Sequence, residues 1–297
     1  MEYLVLDIGG SSIKYSIMTE KVEFIEKGNI PTPLDNIENF IETIGEIYDE
    51  YKERIEGIAI SMPGIIDSKN GYAYTGGTLE YNENKEIVKL LRKRCKIKIV
   101  IQNDGKCAAL AEVWQGSLKY CNDGIVIVLG TGVGGGIIKD RKIHMGKHFS
   151  AGEFSFIVSN VENANEIENL WGFKSGSKAL LEPIAKVKNL NSNEIDGYKA
   201  FEYINNGDKE ALKILDKFAY NIAIQIFNLQ CAFDPEKIAI GGGISAQDIL
   251  IEYIKKNLDE FYDNFKFNIP RAEVIKCEFC NDSNLIGALY NFFTLES

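Results

Sequence analysis

The chain has 297 residues, of which 45% are hydrophobic, and a formal net charge of −10. This length favours two modest domains, because single hydrophobic cores stop growing near ~250–300 residues, and an acidic chain is a poor non-specific binder of nucleic acid or anionic lipid. No apolar run reaches the ~20 residues that a membrane span needs, and the lack of a secretory signal predicts a cytoplasmic protein whose six cysteines are free thiols.

The N-terminal segment predicts a strand, a tight turn and a returning strand. Apolar residues dominate 3–8 and 13–18, and Asp7 stands near the end of the first run. Glycines in such a turn let backbone N–H groups approach a phosphate, and an aspartate there can hold Mg²⁺ through water. A plain hairpin turn with a capping aspartate would leave the same pattern. The turn residues are Gly9, Gly10, Ser11 and Ser12.

A helix, a strand and a polar cluster come next. Asp35 is predicted to cap a helix that reaches about Tyr51, and an apolar run at 98–102 predicts a buried strand. Asp104 lies between that strand and a small-residue helix over about 105–116. A carboxylate at this position suits a general base for an attacking hydroxyl, although capping of the helix by Asp104 is an alternative.

The plan of strand, glycine turn and strand then repeats. An apolar run at 124–129 leads into five glycines within 130–136, and 136–139 predicts the returning strand. Each glycine costs conformational entropy, so a close approach of the backbone to a ligand explains them better than a flexible turn. The dinucleotide-binding and Walker A patterns are both excluded, because no helix follows and no lysine with a hydroxyl residue ends the loop. The repeat predicts two related α/β lobes that face a cleft.

A long helix, a strand and a third glycine cluster lie in the second half. The pattern predicts a helix over 207–233 and a strand over 237–240 that runs into Gly242 and Gly243. A flat adenine or ribose can lie against such a backbone, whereas a strand-to-helix turn capped by Ser245 is the alternative. The predicted lobes are residues 1–117 with 284–297, and residues 118–283.

The order of these motifs resembles the actin-like ATPase superfamily, and more narrowly the ROK family of repressors, open reading frames and kinases. Residues 7–17 and 128–138 resemble its two phosphate motifs, and residues 238–245 resemble its adenosine motif. The resemblance implies a two-lobed α/β fold of the ribonuclease H-like type with a cleft between the lobes, ATP and Mg²⁺ as cofactors, and a homodimer. The implied nucleotide-binding residues are Asp7, which also holds Mg²⁺ through water, Gly9, Gly10, Ser11, Ser12, Lys14, Gly130, Thr131, Gly132, Gly134, Gly242 and Gly243.

The same resemblance implies a hexose site beside the catalytic base. Asp104 is the implied base, and the neighbouring Asn103 is expected to hold a sugar hydroxyl. The segment 151–153 reads Ala-Gly-Glu and matches the family's A-G-E, whose glutamate is expected to bind sugar hydroxyls. The implied sugar-binding residues are Gly77, Asn103, Asp104 and Glu153.

The chain departs from the family after Glu153. Many members continue A-G-E-x-G-H, with the histidine as a zinc ligand and sugar contact, but Phe156 stands at that position and no cysteine lies between it and Ser175. We therefore expect no structural zinc, and we expect packing of Trp171 to hold the loop in its place. One expected sugar contact is missing, and Glu168 is a weak candidate to replace it.

The predicted activity is transfer of the γ-phosphate of ATP to the 6-hydroxyl of a hexose, with Asp104 as the general base. N-acetylmannosamine is slightly favoured over glucose, with β-glucosides and fructose behind them. A sugar-responsive repressor is disfavoured, because almost no chain precedes the first predicted strand and the protein is acidic. A non-catalytic sugar-binding regulator is disfavoured by the retained Asp104 and by both glycine turns.

Overall fold

A computed structural model describes residues 1–265 and 268–295, and it divides the chain into two α/β units. The predicted lobe ranges also include residues 266–267 and 296–297, which lie outside the described residues. The segment Ile143–Ala151 belongs to the first unit, although the sequence prediction placed it in the second lobe. In the first unit the Phe149 ring stacks on the Tyr74 ring, with centroids 5.6 Å apart. The first unit comprises Met1–Trp114, Ile143–Ala151 and the described residues from Asp282 onward, and the second comprises Gln115–Lys142 and Gly152–Asn281.

The first unit contains a five-stranded sheet with parallel strands at its centre. The strands of this sheet are β1 (Glu2–Ile8), β2 (Ser12–Thr19), β3 (Phe24–Pro31), β4 (Ile55–Met62) and β7 (Ile99–Asn103). A separate two-stranded sheet is formed by β5 (Ile66–Asp67) and β6 (Tyr72–Ala73). The order is β3-β2-β1-β4-β7, with β1 antiparallel to β2 and parallel to β4, and β4 parallel to β7. Asp7 therefore pairs with Ser61, and Met62 pairs with Asn103. The carboxyl ends of β1, β4 and β7 meet at one edge of the sheet, where ligands bind in open α/β folds.

Three helices of this unit are α1 (Ile37–Tyr51), α2 (Ile87–Arg94) and α3 (Asp104–Trp114). The prediction that Asp35 caps α1 is wrong. Asn36 is the N-cap, because its side-chain oxygen accepts a hydrogen bond from the backbone N–H of Asn39 at 2.8 Å. Asp35 instead accepts from the side-chain amides of these two asparagines. Phe40 and Ile44 lie on the buried face of α1, as the helical spacing predicts.

The second unit repeats the sheet plan of the first. The strands of this sheet are β8 (Gly124–Leu129), β9 (Val133–Lys139), β10 (Lys142–Ile143), β11 (Lys237–Gly241) and β12 (Val274–Lys276), in the order β10-β9-β8-β11-β12. The unit boundary falls within β10, after Lys142. Like β1 in the first unit, β8 is antiparallel to the strand that follows it and parallel to a later strand. The predicted turn over 130–136 is too long, because β9 already begins at Val133 and Gly134 pairs with Val128.

Helices cover the sheet of the second unit and share its hydrophobic core with the strands. They are α4 (Trp171–Ser175), α5 (Ser177–Val187), α6 (Gly197–Asn205), α7 (Lys209–Phe233) and α8 (Asp248–Asp263). The long helix α7 was predicted almost to its bounds. Asp208 caps it by accepting from the backbone N–H of Ala211 at 3.0 Å.

The C-terminal helix α9 (Ser283–Thr294) belongs to the first unit and packs against α3. The two helices touch backbone to backbone at Gly287. A Cβ atom at this glycine would lie 1.7 Å from the carbonyl oxygen of Cys107, so only glycine allows this approach. Among the described helices, none has the length and the apolar character that crossing a membrane requires.

Candidate functional site

Asp7 is a half-buried carboxylate at the carboxyl end of β1. Its Oδ1 atom accepts hydrogen bonds from Ser61 Oγ and from Asn284 Nδ2, both at 3.0 Å. Burial raises the pKa of Asp7, while these two hydrogen bonds and the charge of Lys14 oppose that rise. Its Oδ2 atom accepts no hydrogen bond from any residue that the structure describes. The side chain is thus held on one oxygen and presents the other.

The first glycine turn connects β1 to β2 directly beside Asp7. The Gly9 N–H donates to the Ser12 carbonyl at 2.9 Å, and Thr32 Oγ1 donates to the Gly9 carbonyl at 2.7 Å. Gly10 is exposed, and a Cβ atom there would lie 3.0 Å from Thr78 Oγ1. The turn is therefore tight, hydrogen bonded to the residue that follows β3, and solvent-exposed at Gly10, with Thr78 close beside it.

Asn103 and Asp104 lie where β7 passes into α3. Asn103 Oδ1 accepts from the backbone N–H of Lys106 at 3.0 Å, so Asn103 caps α3 and the alternative that Asp104 is the cap is wrong. Asp104 Oδ1 accepts from the Gly105 N–H at 2.8 Å and from Asn103 Nδ2 at 3.1 Å. The Asp104 carboxylate is half-buried at the N-terminus of α3, where the helix dipole favours negative charge.

Gly77 lies close to Asn103 through the turn at Pro63 and Gly64. Gly77 has φ +58°, and a Cβ atom there would lie 2.9 Å from the Pro63 Cβ atom. The Gly64 carbonyl accepts from Asn103 Nδ2 at 2.9 Å. The structure therefore brings together Gly77, Asn103 and Asp104, the three predicted sugar-binding residues of the first unit.

The second glycine turn is held by a serine that the sequence analysis missed. The Gly130 N–H donates to the Gly132 carbonyl at 3.0 Å, which closes the turn. Ser155 Oγ accepts from the Val133 N–H at 2.9 Å and donates to the Val133 carbonyl at 3.1 Å. The N–H of Ser177, at the start of α5, donates to the Gly130 carbonyl at 2.8 Å. One feature of the sequence could have indicated a role for Ser155: it stands where the family's A-G-E-x-G-H pattern has glycine.

The third glycine cluster lies against the second glycine turn. Gly242 has φ +96°, and a Cβ atom there would lie 2.3 Å from the Leu129 carbonyl oxygen, next to Gly130. A Cβ atom at Gly130 or Gly243 would meet no atom within 4 Å, so both glycines face open space. The alternative role of Ser245 as a helix cap is wrong, because its hydroxyl donates to the Gly242 carbonyl at 2.7 Å and α8 begins later in the chain.

Glu153 follows a glycine that packs on β9. Gly152 has φ +86°, and a Cβ atom there would lie 3.2 Å from the Gly135 carbonyl oxygen. Glu153 is half-buried and precedes a short 3-10 turn, whereas Phe156 at the end of that turn is 67% exposed. The glycines of β9 therefore accommodate the segment that carries Glu153, and part of the glycine run serves packing.

The loop that stands in place of the family's zinc site is closed by backbone hydrogen bonds. The Trp171 N–H donates to the Ile157 carbonyl and the Ser159 N–H donates to the Asn169 carbonyl, both at 2.7 Å. Trp171 is fully buried and packs on Phe154, with ring centroids 5.8 Å apart, as the sequence analysis predicted. Glu168 is exposed. Within residues 1–265 and 268–295, no group of three or more His, Cys, Asp or Glu side chains is arranged to hold a metal ion.

An open pocket of about 630 Å³ lies elsewhere on the second unit, between α4, α5, α7 and α8. Phe173, Lys213 and Tyr220 are among the residues that line it. No predicted site residue lines this pocket, so it is separate from the candidate site.

Comparison with known proteins identifies relatives along the whole chain. A family profile described as ROK family matches residues 3–293. An uncharacterized protein of Clostridium perfringens is 30% identical over 295 residues, covering 98% of this chain and 97% of the relative. A beta-glucoside kinase of Listeria monocytogenes is 27% identical over 306 residues, covering 100% and 99%. Among solved structures, a Listeria monocytogenes protein provisionally described as an N-acetylmannosamine kinase superimposes with a TM-score of 0.89 at 26% identity, over 100% of both chains.

Proposed function

The chain belongs to the ROK family and has the actin-like ATPase fold of its sugar kinases, and from this premise we propose that it transfers the γ-phosphoryl group of ATP to the 6-hydroxyl of a hexose. One observation carries the proposal: the carboxyl ends of β1 and β7, the two strands that flank β4, bring Asp7, Asn103 and Asp104 to the same edge of one sheet. A phosphoryl-transfer site needs a carboxylate near the metal and phosphates and another near the attacking hydroxyl. The names of the relatives support the same reaction class.

The residues present fit ATP and Mg²⁺. Mg²⁺ is usually held by one or two carboxylates together with phosphate oxygens and water. The Oδ2 atom of Asp7 accepts no hydrogen bond from the residues that the structure describes and is therefore available to such an ion. The open space at Gly130 and Gly243 and the exposed turn at Gly10 allow phosphates and adenosine to approach the backbone. When bound, Mg²⁺ neutralises charge on the phosphate oxygens.

Asp104 is the general base of the proposed mechanism. The Gly105 N–H and the Asn103 amide fix its Oδ1 atom, which orients the carboxylate for a hydroxyl that enters the site. Asp104 accepts the proton of the 6-hydroxyl as that oxygen forms a bond to the γ-phosphorus, while the bond from this phosphorus to the β,γ-bridging oxygen breaks and ADP leaves. Most of the acceleration comes from positioning and electrostatics, since phosphoryl transfer leaves little covalent chemistry to the protein.

The hexose is proposed to bind beside Asp104, with contacts from Gly77, Asn103 and Glu153. Both amide protons of Asn103 are already donated, so it would contact a sugar through the remaining acceptor capacity of Oδ1. N-acetylmannosamine is favoured, and the similarity to a provisional N-acetylmannosamine kinase supports it. A β-glucoside is the first alternative, supported by the beta-glucoside kinase relative, with glucose and fructose after it.

The remaining parts of the proposal concern assembly and location. The family resemblance supports a homodimer, which sedimentation velocity measures directly. None of the six cysteines, all of which lie in the described part of the chain, is assigned to a disulfide, and we propose a reducing compartment such as the cytoplasm. A sugar-binding regulator without catalysis is the competing function from another class, and it predicts sugar binding without any release of ADP.

A coupled assay of ADP release tests the proposal. The purified protein is given Mg·ATP with N-acetylmannosamine, N-acetylglucosamine, glucose, mannose, fructose or cellobiose. Turnover on one sugar well above the others supports the kinase and names its substrate. Sugar binding by calorimetry without turnover on any sugar would favour the regulator instead.

Asp104→Asn tests the mechanism separately from binding. The amide keeps the shape of the carboxylate but cannot accept the proton, so kcat is expected to fall by about 10²–10⁴, the usual contribution of a general base. Sugar affinity measured by calorimetry is expected to stay close to that of the parent protein. Retention of full activity would overturn the assignment of Asp104 as the base.

A further inference from the structure

We propose that Asn284, in the first turn of α9, is a positioning residue that orients Asp7 for Mg²⁺ and thereby links the C-terminal helix to the catalytic edge of the first unit. The proposal rests on the proposed kinase function, because it assigns Asp7 to the metal. It concerns a residue that touches neither sugar nor nucleotide in the proposed mechanism and that acts through Asp7 alone.

The first observation is the asymmetry of the hydrogen bonds at Asp7. Asn284 Nδ2 and Ser61 Oγ both donate to Oδ1 at 3.0 Å, and neither donates to Oδ2. The terminal torsion of an aspartate side chain is broad and two-fold, so an aspartate without such partners could rotate. Two donors from different elements on one oxygen fix that torsion and direct Oδ2 away from both donors. The arrangement suits a carboxylate whose second oxygen must face a hydrated cation.

The second observation is the way α9 is held. Asn284, Gly287 and Asn291 are spaced i, i+3 and i+7 and share one helix face. Gly287 allows the helix to touch the Cys107 carbonyl of α3. Asn291 Nδ2 donates to the Ile101 carbonyl of β7 at 3.4 Å. One face of α9 thus contacts the end of β1, the helix that begins with Asp104, and the strand that precedes Asp104.

The third observation concerns Ser61, the other donor to Asp7, and its position near α3. The fully buried Cys107 thiol of α3 lies near Ser61. Asn284 lies on a helix that packs against α3, and Ser61 lies near Cys107 of α3, so the orientation of Asp7 depends on the packing of α3 and α9 as well as on β1.

The test compares Asn284→Leu with the parent protein. Leucine has a similar volume and branching but no donor, so it removes the hydrogen bond to Asp7 with little change in packing. Isothermal titration calorimetry measures ADP affinity with Mg²⁺ and with EDTA, and kinetics give the Mg²⁺ concentration for half-maximal turnover. We expect ADP affinity in EDTA to be unchanged. The gain in affinity from Mg²⁺ is expected to fall, and the required Mg²⁺ to rise, by about 10-fold, as for other outer-shell partners of a metal ligand.

Asn291→Leu is the matched control, since it removes a buried amide from the same helix face without touching Asp7. It is expected to lower the melting temperature and leave the Mg²⁺ dependence unchanged. If Asn284→Leu does not fold, Asn284→Ala replaces it, because the half-buried position tolerates a smaller side chain.

An unchanged Mg²⁺ dependence in the Asn284 variant, or an equal shift in the Asn291 control, would overturn the inference. The binding measurement needs no sugar turnover. A parent protein that gains ADP affinity from Mg²⁺ but phosphorylates no sugar would contradict the proposed function while the calorimetry still decides the role of Asn284.

Discussion

Trp171 is a large aromatic residue in the hydrophobic core of the second unit. It is fully buried against Phe154, and its indole Nε1–H donates to no acceptor among the described residues. A buried donor without a partner costs free energy, so the benefit of this residue must come from packing. Packing of a large ring on Phe154 therefore supports the loop over 157–171 together with its backbone hydrogen bonds.

Trp171→Ala is expected to destabilise the protein by about 3–5 kcal/mol, the usual loss for a buried aromatic side chain that leaves a cavity. Trp171→Phe is expected to lose much less, because it keeps most of the ring contacts and removes the unpaired donor. Urea unfolding followed by circular dichroism measures both free energies. An alanine variant as stable as the parent would show that the backbone hydrogen bonds alone hold the loop.

Residues that carry chemistry differ in how visible they are in the sequence. Asp7, Asn103 and Asp104 could be found because each follows a run of apolar residues, and strand ends are where polar side chains reach a ligand. Asn284 could not be assigned a role, since its partner Asp7 is 277 positions away and asparagine near the start of a helix is common. Ser155 was missed for the same reason, as its partner Val133 is distant in the chain.

Gly130 of the second glycine turn and Gly243 of the third glycine cluster allow the proposed nucleotide site to be tested without changing the fold. Gly130→Ala and Gly243→Ala add a methyl group where no protein atom lies within 4 Å, so melting temperatures are expected to match the parent. The added methyl groups would occupy the space proposed for ATP. We expect the Kd for ATP to rise by roughly 10-fold or more, since overpacking a close contact costs about 1–3 kcal/mol.

Gly242→Ala is the contrasting variant at the same junction. Its φ of +96° and the Leu129 carbonyl oxygen 2.3 Å from the added Cβ atom forbid alanine without movement of β8 or β11. This variant should lose stability as well as ATP affinity. Unchanged ATP affinity in both open-space variants would contradict the assignment of these glycines to the nucleotide.

At the scale of elements, the sequence predicted strands better than it predicted the helices between them. The strand over 124–129 and the helix that ends at Phe233 were found to within about two residues because their apolar patterns are long and regular. The helices α4 to α6 were not found, since the segment from 171 to 205 is interrupted by glycine, proline and short polar stretches. The glycines of β9 were read as turn residues because the ring of Phe154, which requires the space at Gly135, is distant in sequence.

For the whole molecule, the repeated strand–glycine–strand plan was the decisive signal. Each unit has a central strand that is antiparallel to its hairpin partner and parallel to a later strand. The two sheets are therefore built around hairpins of the same type. A repeat of this kind is visible in sequence because glycine must recur at equivalent places. The segment Ile143–Ala151 could not be assigned correctly by the same reasoning, since its contacts within the first unit, such as the Phe149–Tyr74 stack, join residues far apart in the chain.

The reactivity of the six cysteines tests the packing of both units, because each unit contains buried cysteines. Cys231 and Cys280 are exposed, whereas Cys95, Cys107, Cys121 and Cys277 are buried. Burial also raises the pKa of Cys95 to about 11 and shifts the pKa values of Cys107 and Cys121 upward. The thiolate is the reactive form, so these thiols remain protonated and slow at mildly alkaline pH.

Ellman's reagent is therefore expected to modify two thiols rapidly in the native protein and all six after unfolding in guanidinium chloride without reductant. Mass spectrometry after maleimide labelling should locate the rapid pair at Cys231 and Cys280, and Cys231→Ser should reduce the rapid count to one. Rapid labelling of Cys107 would be the most damaging result, because that fully buried thiol lies on α3, where α9 packs closely at Gly287. Fewer than six reactive thiols after unfolding would indicate a disulfide and argue against a reducing compartment.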